Sequence, residues 1–441
     1  MLDLTILKSE VVKGILTALE NEGPPFGFSN ISFSCPEMNL LGLLDFVEGV
    51  PMAYFKSKEG SLEIIGIGST AKFSENEKNE VEKIISSNPN LKFFTSLRFN
   101  SEEETSDEWK ALTEFAFFLP MVCWVKHEKN FCLEVNFPNS LRSMPHERAE
   151  FIMALENHID LTRSLSSLRE PISFKEHTDV PSKDIWNSSI NECLEILEST
   201  PVDKVVLARK RILNLSSFNP VNYFQKLSEK SENSFLFFIK LNDGQAFFSL
   251  SPERLFKKSN DLLTIDSIAG TRTRGLTHQD DQILERELKS SKKDLSEHRI
   301  VSREIHNLLV EICDDISTPL LEGILKQKYV QHIQTIFSGK LNREIGIFEI
   351  IEKIHPTPAV GGFPRGAAKD IIKRLENFDR GLYAGPIGII SKDLTELAVG
   401  IRSALLHDNK LHIFGGAGII LGSTAEKEWD ETLNKMRNFL E

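Results

Sequence analysis

The chain has 441 residues, of which 40% are hydrophobic and 26% charged, a balance typical of a globular protein with a sizeable core. Its formal net charge of −12 disfavours nucleic acid as a partner, and an anionic substrate would need a local cluster of cations. The sequence contains no run of about 18 apolar residues, so no membrane span is predicted. The first residues lack the basic and apolar regions of a signal peptide, so we expect a cytoplasmic protein.

In the N-terminal third, short β-rich runs alternate with polar connections. The predicted strands are 26–34, 51–57, 61–68, 92–98, 121–127 and 130–137. Helices are predicted at 75–87 and from about residue 146 to 165, where apolar positions recur at helical spacing. The polar segment 173–183 has no regular pattern, and we interpret it as a link to the rest of the chain.

The remaining part of the chain mixes strands and helices irregularly. The predicted strands are 203–213, 235–241, 246–250, 262–268, 329–337, 388–391, 396–405 and 410–414. The predicted helices are 185–198, 279–289, 295–313, 346–353, 365–375 and 424–440. Because strict βαβ alternation and a G-x-G-x-x-G opening are absent, the order favours large, mainly antiparallel sheets over a Rossmann fold.

One candidate for the base of a reaction, Lys204, begins the predicted strand 203–213. Apolar residues on both faces of that strand predict burial, and a lysine partly removed from water can act as a base near neutral pH. Alternatively, Lys204 lies at the solvent-exposed end of the strand. Glu253 follows the predicted hairpin of strands 235–241 and 246–250, and on its own it is only a turn carboxylate.

Acidic residues on two predicted helices suggest a metal site. Glu428, Glu431 and Lys435 share one face of the last helix, which is either a solvated face with an ion pair or a ligand-binding face. Glu297 falls within the apolar stripe of helix 295–313, where a carboxylate is costly to bury without a cation. Alternatively, it stays exposed in the first turn, where it favours the helix dipole. Three glutamates from two helices would suit Mg²⁺.

A candidate anion site lies near the C-terminal strands. Arg402 falls on the predicted strand 396–405 with small residues on the same face, which leaves space for a ligand carboxylate. The alternative is an exposed strand position. Gly416 and Gly418 follow the next strand, where backbone N–H groups can approach an anion, although a tight turn also explains two glycines.

Nine blocks, taken in order, resemble those of the chorismate-utilising enzymes. They are 203–209, 251–255, 268–275, 296–298, 355–362 (His-Pro-Thr-Pro-Ala-Val-Gly-Gly), 380–386, 401–402, 415–419 and 428–435. The resemblance is strong over 176–441 and loose over 1–175, where 53–68 is similar to the corresponding part of menaquinone-pathway isochorismate synthases. It implies a single chorismate-binding domain over 1–441, of the α/β (α+β) class, with two packed, mainly antiparallel sheets and helices outside.

The resemblance also implies roles for the candidate residues. Lys204 would be the base and Glu253 the acid when water attacks ring C2 of chorismate and hydroxide leaves C4. Mg²⁺, held by carboxylates, would anchor the ring carboxylate. Its implied ligands are Glu297, Glu431 and, through water, Glu428. The residues implied to hold the enolpyruvyl carboxylate or to line the pocket are Arg402, Gly416, Gly418, Gly270, Thr271, His355, Ala359, Tyr383 and Lys435.

Two positions separate the activities within this family. Lys204 stands where the aminating synthases typically carry glutamine, which implies that water and not ammonia is the nucleophile. Ala359 stands where salicylate synthases resemble His-Pro-Thr-Val-Thr and carry threonine, which implies that isochorismate leaves without loss of pyruvate. The resemblance therefore implies a Mg²⁺-dependent isochorismate synthase, an isomerase of the hydroxymutase type that supplies menaquinone biosynthesis.

Several other functions remain open at this stage. They are a salicylate synthase, isochorismate supply for a siderophore, an aminating synthase with a glutaminase partner, and an inactive relative retained as a binding protein. We expect a monomer whose ligands are chorismate and isochorismate, and whose partners include neither nucleic acid nor a membrane.

Overall fold

The computed structural model describes residues 4–160 except 22, 25 and 48, and residues 174–440. The helices of its N-terminal third are α1 (Leu4–Glu20), α2 (Lys78–Ser87), α3 (Asp107–Thr113) and α4 (Pro145–Ile159). The strands are β1 (Phe28–Ser34), β2 (Met52–Lys56), β3 (Leu62–Phe73), β4 (Phe93–Ser96), β5 (Phe117–His127) and β6 (Asn130–Pro138). Short 3₁₀ helices occupy Leu41–Phe46, Glu75–Glu77 and Asn139–Arg142.

The rest of the chain contains the remaining elements. The helices are α5 (Lys183–Ser199), α6 (Pro220–Ser228), α7 (His278–Ser290), α8 (Lys292–Ile312), α9 (Ile347–Ile354), α10 (Arg365–Leu375) and α11 (Ala425–Met436), which a 3₁₀ turn at Arg437–Phe439 follows. The strands up to residue 341 are β7 (Phe174–Val180), β8 (Lys204–Leu215), β9 (Phe235–Asn242), β10 (Gln245–Ser251), β11 (Arg254–Ser259), β12 (Leu262–Thr273), β13 (Cys313–Lys326) and β14 (Val330–Leu341). The last strands are β15 (Gly362–Phe363), β16 (Pro386–Ile390), β17 (Leu394–Val399), β18 (Ser403–His407) and β19 (Lys410–Ile419).

Apart from the two-residue β15, which pairs with the start of β8, the described strands form two antiparallel sheets that meet at β5. The first runs β7-β8-β19-β18-β10-β9-β2-β3-β5-β6-β1, and the second runs β4-β16-β17-β11-β12-β14-β13. One edge of β5 pairs with β3, while the other pairs with β4 at its start and with β6 further on. The N-terminal third therefore contributes strands to both sheets.

Side-chain alternation along the first sheet divides the core in two. On β9, Phe235 and Phe237 join a cluster that contains residues of both sheets. Leu236 and Phe238 point the other way, into a cluster shared with α1, α4 and α6. A strand buried on both faces produces this pattern, because successive side chains point to opposite sides. The expected architecture of two packed, mainly antiparallel sheets with helices outside is confirmed.

The interpretation of 173–183 as an irregular link is wrong for residues 174–180, which form β7 and pair with β8. This strand lies at the edge of its sheet, so its polar side chains need not alternate with apolar ones. Asp179 pairs there with Arg209 at 2.9 Å and with Arg211 at 2.8 Å. The predicted helix 146–165 ends at Ile159, and its last five residues lie outside the described part of the chain.

Other elements were not predicted, namely α1, α3, α6, β11, β13 and β15. The predicted strand 396–405 is two strands, β17 and β18, separated by residues 400–402. Within the described residues, the helices are all too short or too polar to cross a membrane.

Candidate active site

A cavity opens where β8, β12, β14 and β19 meet α8, α11 and the loop before β15. Most of the predicted site residues line it. They are Glu253, Gly270, Thr271, Glu297, Ala359, Tyr383, Arg402, Gly416, Gly418, Glu431 and Lys435. Three predicted residues, Lys204, His355 and Glu428, do not lie on the cavity wall.

Lys204 lies directly behind the wall of the cavity. It is the first residue of β8 and is only 1% exposed, so the alternative of a solvent-exposed strand end is wrong. Its Nζ donates to Glu297 Oε1 at 2.9 Å. A Cβ at the wall residue Gly418 would lie 2.8 Å from both Glu297 Oε1 and Lys204 Cε. The glycine therefore makes room for this ion pair beside the cavity.

Glu253 lies on the cavity wall in the two-residue connection between β10 and β11. It is 2% exposed, and its Oε1 has no hydrogen-bond partner among the described residues. Burial, and then the negative charge of Asp266, raise the pKa of Glu253 to about 8. A carboxyl group with such a pKa keeps its proton at neutral pH and can donate it.

Arg402 was predicted to lie on a strand. It lies instead in the break between β17 and β18, with φ +50°. The break is a tight turn in which the Ile401 N–H donates to Val399 O at 2.7 Å. Arg402 is 6% exposed, and its Nη1 donates to the Lys435 carbonyl at 3.1 Å.

No carboxylate of the described residues forms an ion pair with Arg402 within 4.0 Å. Burial lowers the pKa of Arg402 to about 10. A buried guanidinium without an anion is a favourable place for a ligand carboxylate, which its planar fork can bind with two hydrogen bonds.

Gly416 and Gly418 were predicted to follow a strand, but they lie within β19. A Cβ at Gly416 would approach the Tyr383 hydroxyl to 2.7 Å, so this glycine makes room for the tyrosine just as Gly418 does for Lys204. Tyr383 stacks on Phe414 at 5.2 Å between ring centroids, and burial raises its pKa to about 12. The structure thus gives a side-chain reason for both glycines, in place of a turn.

The predicted metal ligands lie on α8 and α11. Glu297 is in the second turn of α8 and its side chain is 17% exposed, so it is neither in the first turn nor fully in water. Glu431 pairs with Lys435 at 2.6 Å, so the predicted ion pair forms, and both side chains line the cavity. Glu428 is buried beside Lys293 at 3.4 Å.

The chemistry of these residues fits Mg²⁺. All three donors are carboxylate oxygens, the ligands that Mg²⁺ prefers. Burial and then the charge of Glu431 raise the pKa of Glu428, so a further cation here would relieve a repulsion. In this structure, however, each candidate ligand is paired with a lysine. Among the described residues, no three acidic, histidine or cysteine side chains lie close enough together to hold a metal ion.

His332 was missed by the sequence analysis. It lines the cavity, with Nδ1 3.1 Å from Thr271 Oγ1 and Nε2 3.5 Å from Arg402 Nη2. A β-bulge at Gly270, whose φ is +73°, directs Thr271 toward it. Burial and then the charge of Arg402 hold the pKa of His332 well below its usual range. The polar residues within the predicted strand 329–337 were the available signal.

The structure places His355 away from the cavity wall. Its Nε2 lies 3.0 Å from the Phe99 carbonyl, and its ring packs edge-on against Phe99. Later residues of the same loop, among them Ala359, reach the cavity. Arg380 holds the loop against β8, because it donates to Val360 O at 3.0 Å and to Val206 O at 2.7 Å.

Comparison with known proteins gives consistent matches. A family model described as chorismate binding enzyme matches residues 21–441. The chain is 32% identical to isochorismate synthase MenF of Bacillus subtilis over 410 residues, which cover 87% of this chain and 86% of that protein. It is 30% identical to anthranilate synthase component 1 of Lactococcus lactis over 318 residues, or 71% and 69% of the two chains.

Among solved structures, that of MenF, the menaquinone-specific isochorismate synthase from Escherichia coli, matches with a TM-score of 0.83. The match covers 98% of this chain and 99% of that one at 24% sequence identity. The two chains therefore share one fold over nearly their whole length.

Proposed function

This chain belongs to the chorismate-binding enzyme family, and we propose that it is an isochorismate synthase that converts chorismate to isochorismate. The observation that carries the proposal is the pair formed by Lys204, a buried lysine behind the wall of the cavity, and Glu253, a buried acid on that wall. Lysine at position 204 favours water as the nucleophile over ammonia. The name of the Bacillus subtilis relative supports the same activity.

The reaction needs one base and one acid. Lys204 accepts a proton from the water that attacks C2, the ring double bond shifts, and Glu253 donates a proton to the hydroxide that leaves C4 as water. One water enters and one leaves, so the substrate is isomerised. Glu297 Oε1 accepts from Lys204 Nζ at 2.9 Å and so holds the lysine in place behind the cavity wall.

The substrate carries two carboxylates, and each needs a positive charge in the cavity. Arg402, which has no carboxylate partner among the described residues, binds the enolpyruvyl carboxylate, while Tyr383 and Thr271 bound the space beside it. Mg²⁺ held by Glu297 and Glu431, with Glu428 acting through water, would supply the positive charge for the ring carboxylate.

Replacing Glu297 or Glu431 with glutamine should raise the Mg²⁺ concentration needed for half-maximal activity, because each change removes a charged oxygen ligand. The measurement is isochorismate formation titrated with Mg²⁺. Glu426→Gln, at an exposed position of α11, is the matched control and should titrate like the wild type. Wild-type titration curves for both cavity variants would refute the metal assignment.

Ala359→Thr should give detectable salicylate and pyruvate at the expense of isochorismate. Ala359 lines the cavity, and a threonine there would crowd or orient the enolpyruvyl group toward the cyclic geometry in which pyruvate leaves. Ala359→Val adds the same bulk without the hydroxyl and separates crowding from hydrogen bonding. An unchanged product ratio in the threonine variant, measured by chromatography, would sink this role for position 359.

The pathway served is part of the proposal. Menaquinone supply is favoured because the Escherichia coli structure is that of a menaquinone-specific enzyme and because residues 53–68 resemble that branch. A cytoplasmic location and a monomeric state stay predictions. The experiment that tests the proposed function is product analysis with chorismate and Mg²⁺, with and without ammonia. Isochorismate is the expected product in both, whereas an aminated product would indicate the activity named for the Lactococcus lactis relative.

A further inference from the structure

The turn between β2 and β3 reaches from the N-terminal third to the segment that carries Glu253. The Gly60 N–H closes this turn on Ser57 O at 2.9 Å, and Gly60 has φ +71°, a conformation that favours glycine. The two residues between them, Lys58 and Glu59, carry opposite charges and occupy the tip of the turn.

Both tip residues contact the immediate neighbours of Glu253. Lys58 Nζ lies 3.4 Å from the Pro252 carbonyl, and Glu59 Oε1 accepts from Arg254 Nη2 at 2.6 Å. Pro252 and Arg254 are the residues on either side of the acid. The turn therefore holds the acid-bearing connection from both ends.

Lys58 is also paired with Asp266 on β12, at 2.5 Å between Nζ and Oδ2. The two side chains are 9% and 0% exposed, and Asp266 accepts further hydrogen bonds from Arg254 and Gln334, each at 3.2 Å. Separating one partner from a buried ion pair leaves an uncompensated buried charge and is strongly unfavourable. These side chains therefore have one preferred arrangement. Because Glu253 Oε1 has no hydrogen-bond partner of its own, the position of the carboxyl group depends on the neighbouring backbone and on the charges around it.

We propose that Lys58 is a positioning residue for Glu253: through the Pro252 carbonyl and Asp266 it holds the acid at the cavity and compensates the charge beside it. The inference rests on the acid role proposed for Glu253. The charged groups that face Glu253 are Asp266 from β12, Lys204 from β8, Lys435 from α11 and Lys58. Asp266 raises the pKa of Glu253, and the three lysines lower it.

The test compares Lys58→Met with Asp266→Asn in full-length protein. Lys58→Met should lower kcat by about 10-fold or more with little change in KM, because small displacements of a catalytic group are costly. It removes a positive charge, so the alkaline limb of the kcat–pH profile should move to higher pH. Asp266→Asn removes a negative charge and should move that limb to lower pH. A purely structural role would not shift the limb in opposite directions.

Two controls complete the design. Lys58→Arg keeps the charge and the donors and should restore most of the activity. Lys92→Met breaks another N-terminal ion pair, with Glu134 at 2.7 Å, that does not reach the cavity, and it should leave kcat and the pH profile unchanged. Wild-type kcat and an unshifted limb in Lys58→Met would overturn the inference, while Glu253→Gln would still report on the proposed function.

A measurement without catalysis keeps the two proposals separable. Hydrogen exchange of the backbone amides of Ser251 and residues 253–255 should accelerate in Lys58→Met and not in Lys92→Met, because Lys58 contacts that segment and Lys92 does not. Equal exchange in both variants would contradict positioning by Lys58, whatever product the wild type makes. If Lys58→Met does not fold, the same comparison is made with Lys58→Gln, which is smaller and still polar.

Discussion

Replacing Lys204 with alanine is expected to reduce isochorismate formation by about 10²–10⁴-fold, the range over which a positioned base contributes. The lysine is buried behind Gly418, and the change would leave Glu297 without its ion-pair partner. Chorismate binding should be largely retained, since a base acts mainly in the transition state. Steady-state kinetics and calorimetric binding of chorismate together measure the two effects.

A control for this prediction lies on the same strand. Lys210 is a second buried lysine of β8, ion-paired with Glu108 at 2.8 Å, and it does not line the cavity. Lys210→Ala should lower the thermal stability and leave kcat near that of the wild type. Near-normal turnover by Lys204→Ala would remove Lys204 from the role of base.

Glu253→Gln is expected to cost a similar factor, about 10²–10⁴ in kcat, because glutamine cannot donate the proton that the leaving hydroxide needs. The pKa of Glu253 is raised to about 8, so the acid form is present below that pH and is lost above it. The wild-type kcat should therefore fall as the pH rises through about 8. The glutamine variant should lack this alkaline limb.

The surface variant Asp243→Asn, at a side chain that is 83% exposed, controls for the same exchange of a carboxyl group for an amide. It should keep both the kcat and the alkaline limb of the wild type. A glutamine variant at position 253 that retained the limb would show that another group is responsible for it.

The strand at 235–241 was readable from its continuous apolar run, because such a run depends only on neighbouring residues. The division of its side chains between two core clusters was visible only in the structure, since both faces are apolar. By contrast, β7 was hidden because an edge strand needs no apolar alternation and its acidic residue serves Arg209 and Arg211. The strand became recognisable only through its pairing with β8.

The sequence predicted which residues belong to the candidate site better than it predicted how they are arranged. Motif order indicated that Glu253, Glu297 and Arg402 belong together, and the structure brings all three to one cavity. It did not reveal that Arg402 occupies a turn with positive φ, because that conformation is imposed by tertiary contacts. His332 had no motif of its own and was found only by its position on the cavity wall.

The helical spacing of Glu431 and Lys435 indicated one ion pair of the site, but no pattern indicated the pairs of Glu297 with Lys204 and of Glu428 with Lys293. Glu297 contacts Lys204 and Glu428 contacts Lys293, both of which are distant in sequence. Glu431 contacts Lys435, one helical turn away. These pairs hold the carboxylates close to the cavity. The pairs of Glu297 and Glu428 depend on the packing of α8 and α11 against β8 and β19, which spacing along the chain does not encode.

The most direct measurement of the central claim is the reaction of chorismate in ¹⁸O-labelled water with Mg²⁺ and ammonia present, followed by mass spectrometry of the products. If water activated by Lys204 attacks C2 and the C4 hydroxyl leaves, each isochorismate molecule formed carries one ¹⁸O atom, and Lys204→Ala forms almost none. Unlabelled isochorismate, or an aminated product in its place, would contradict the account.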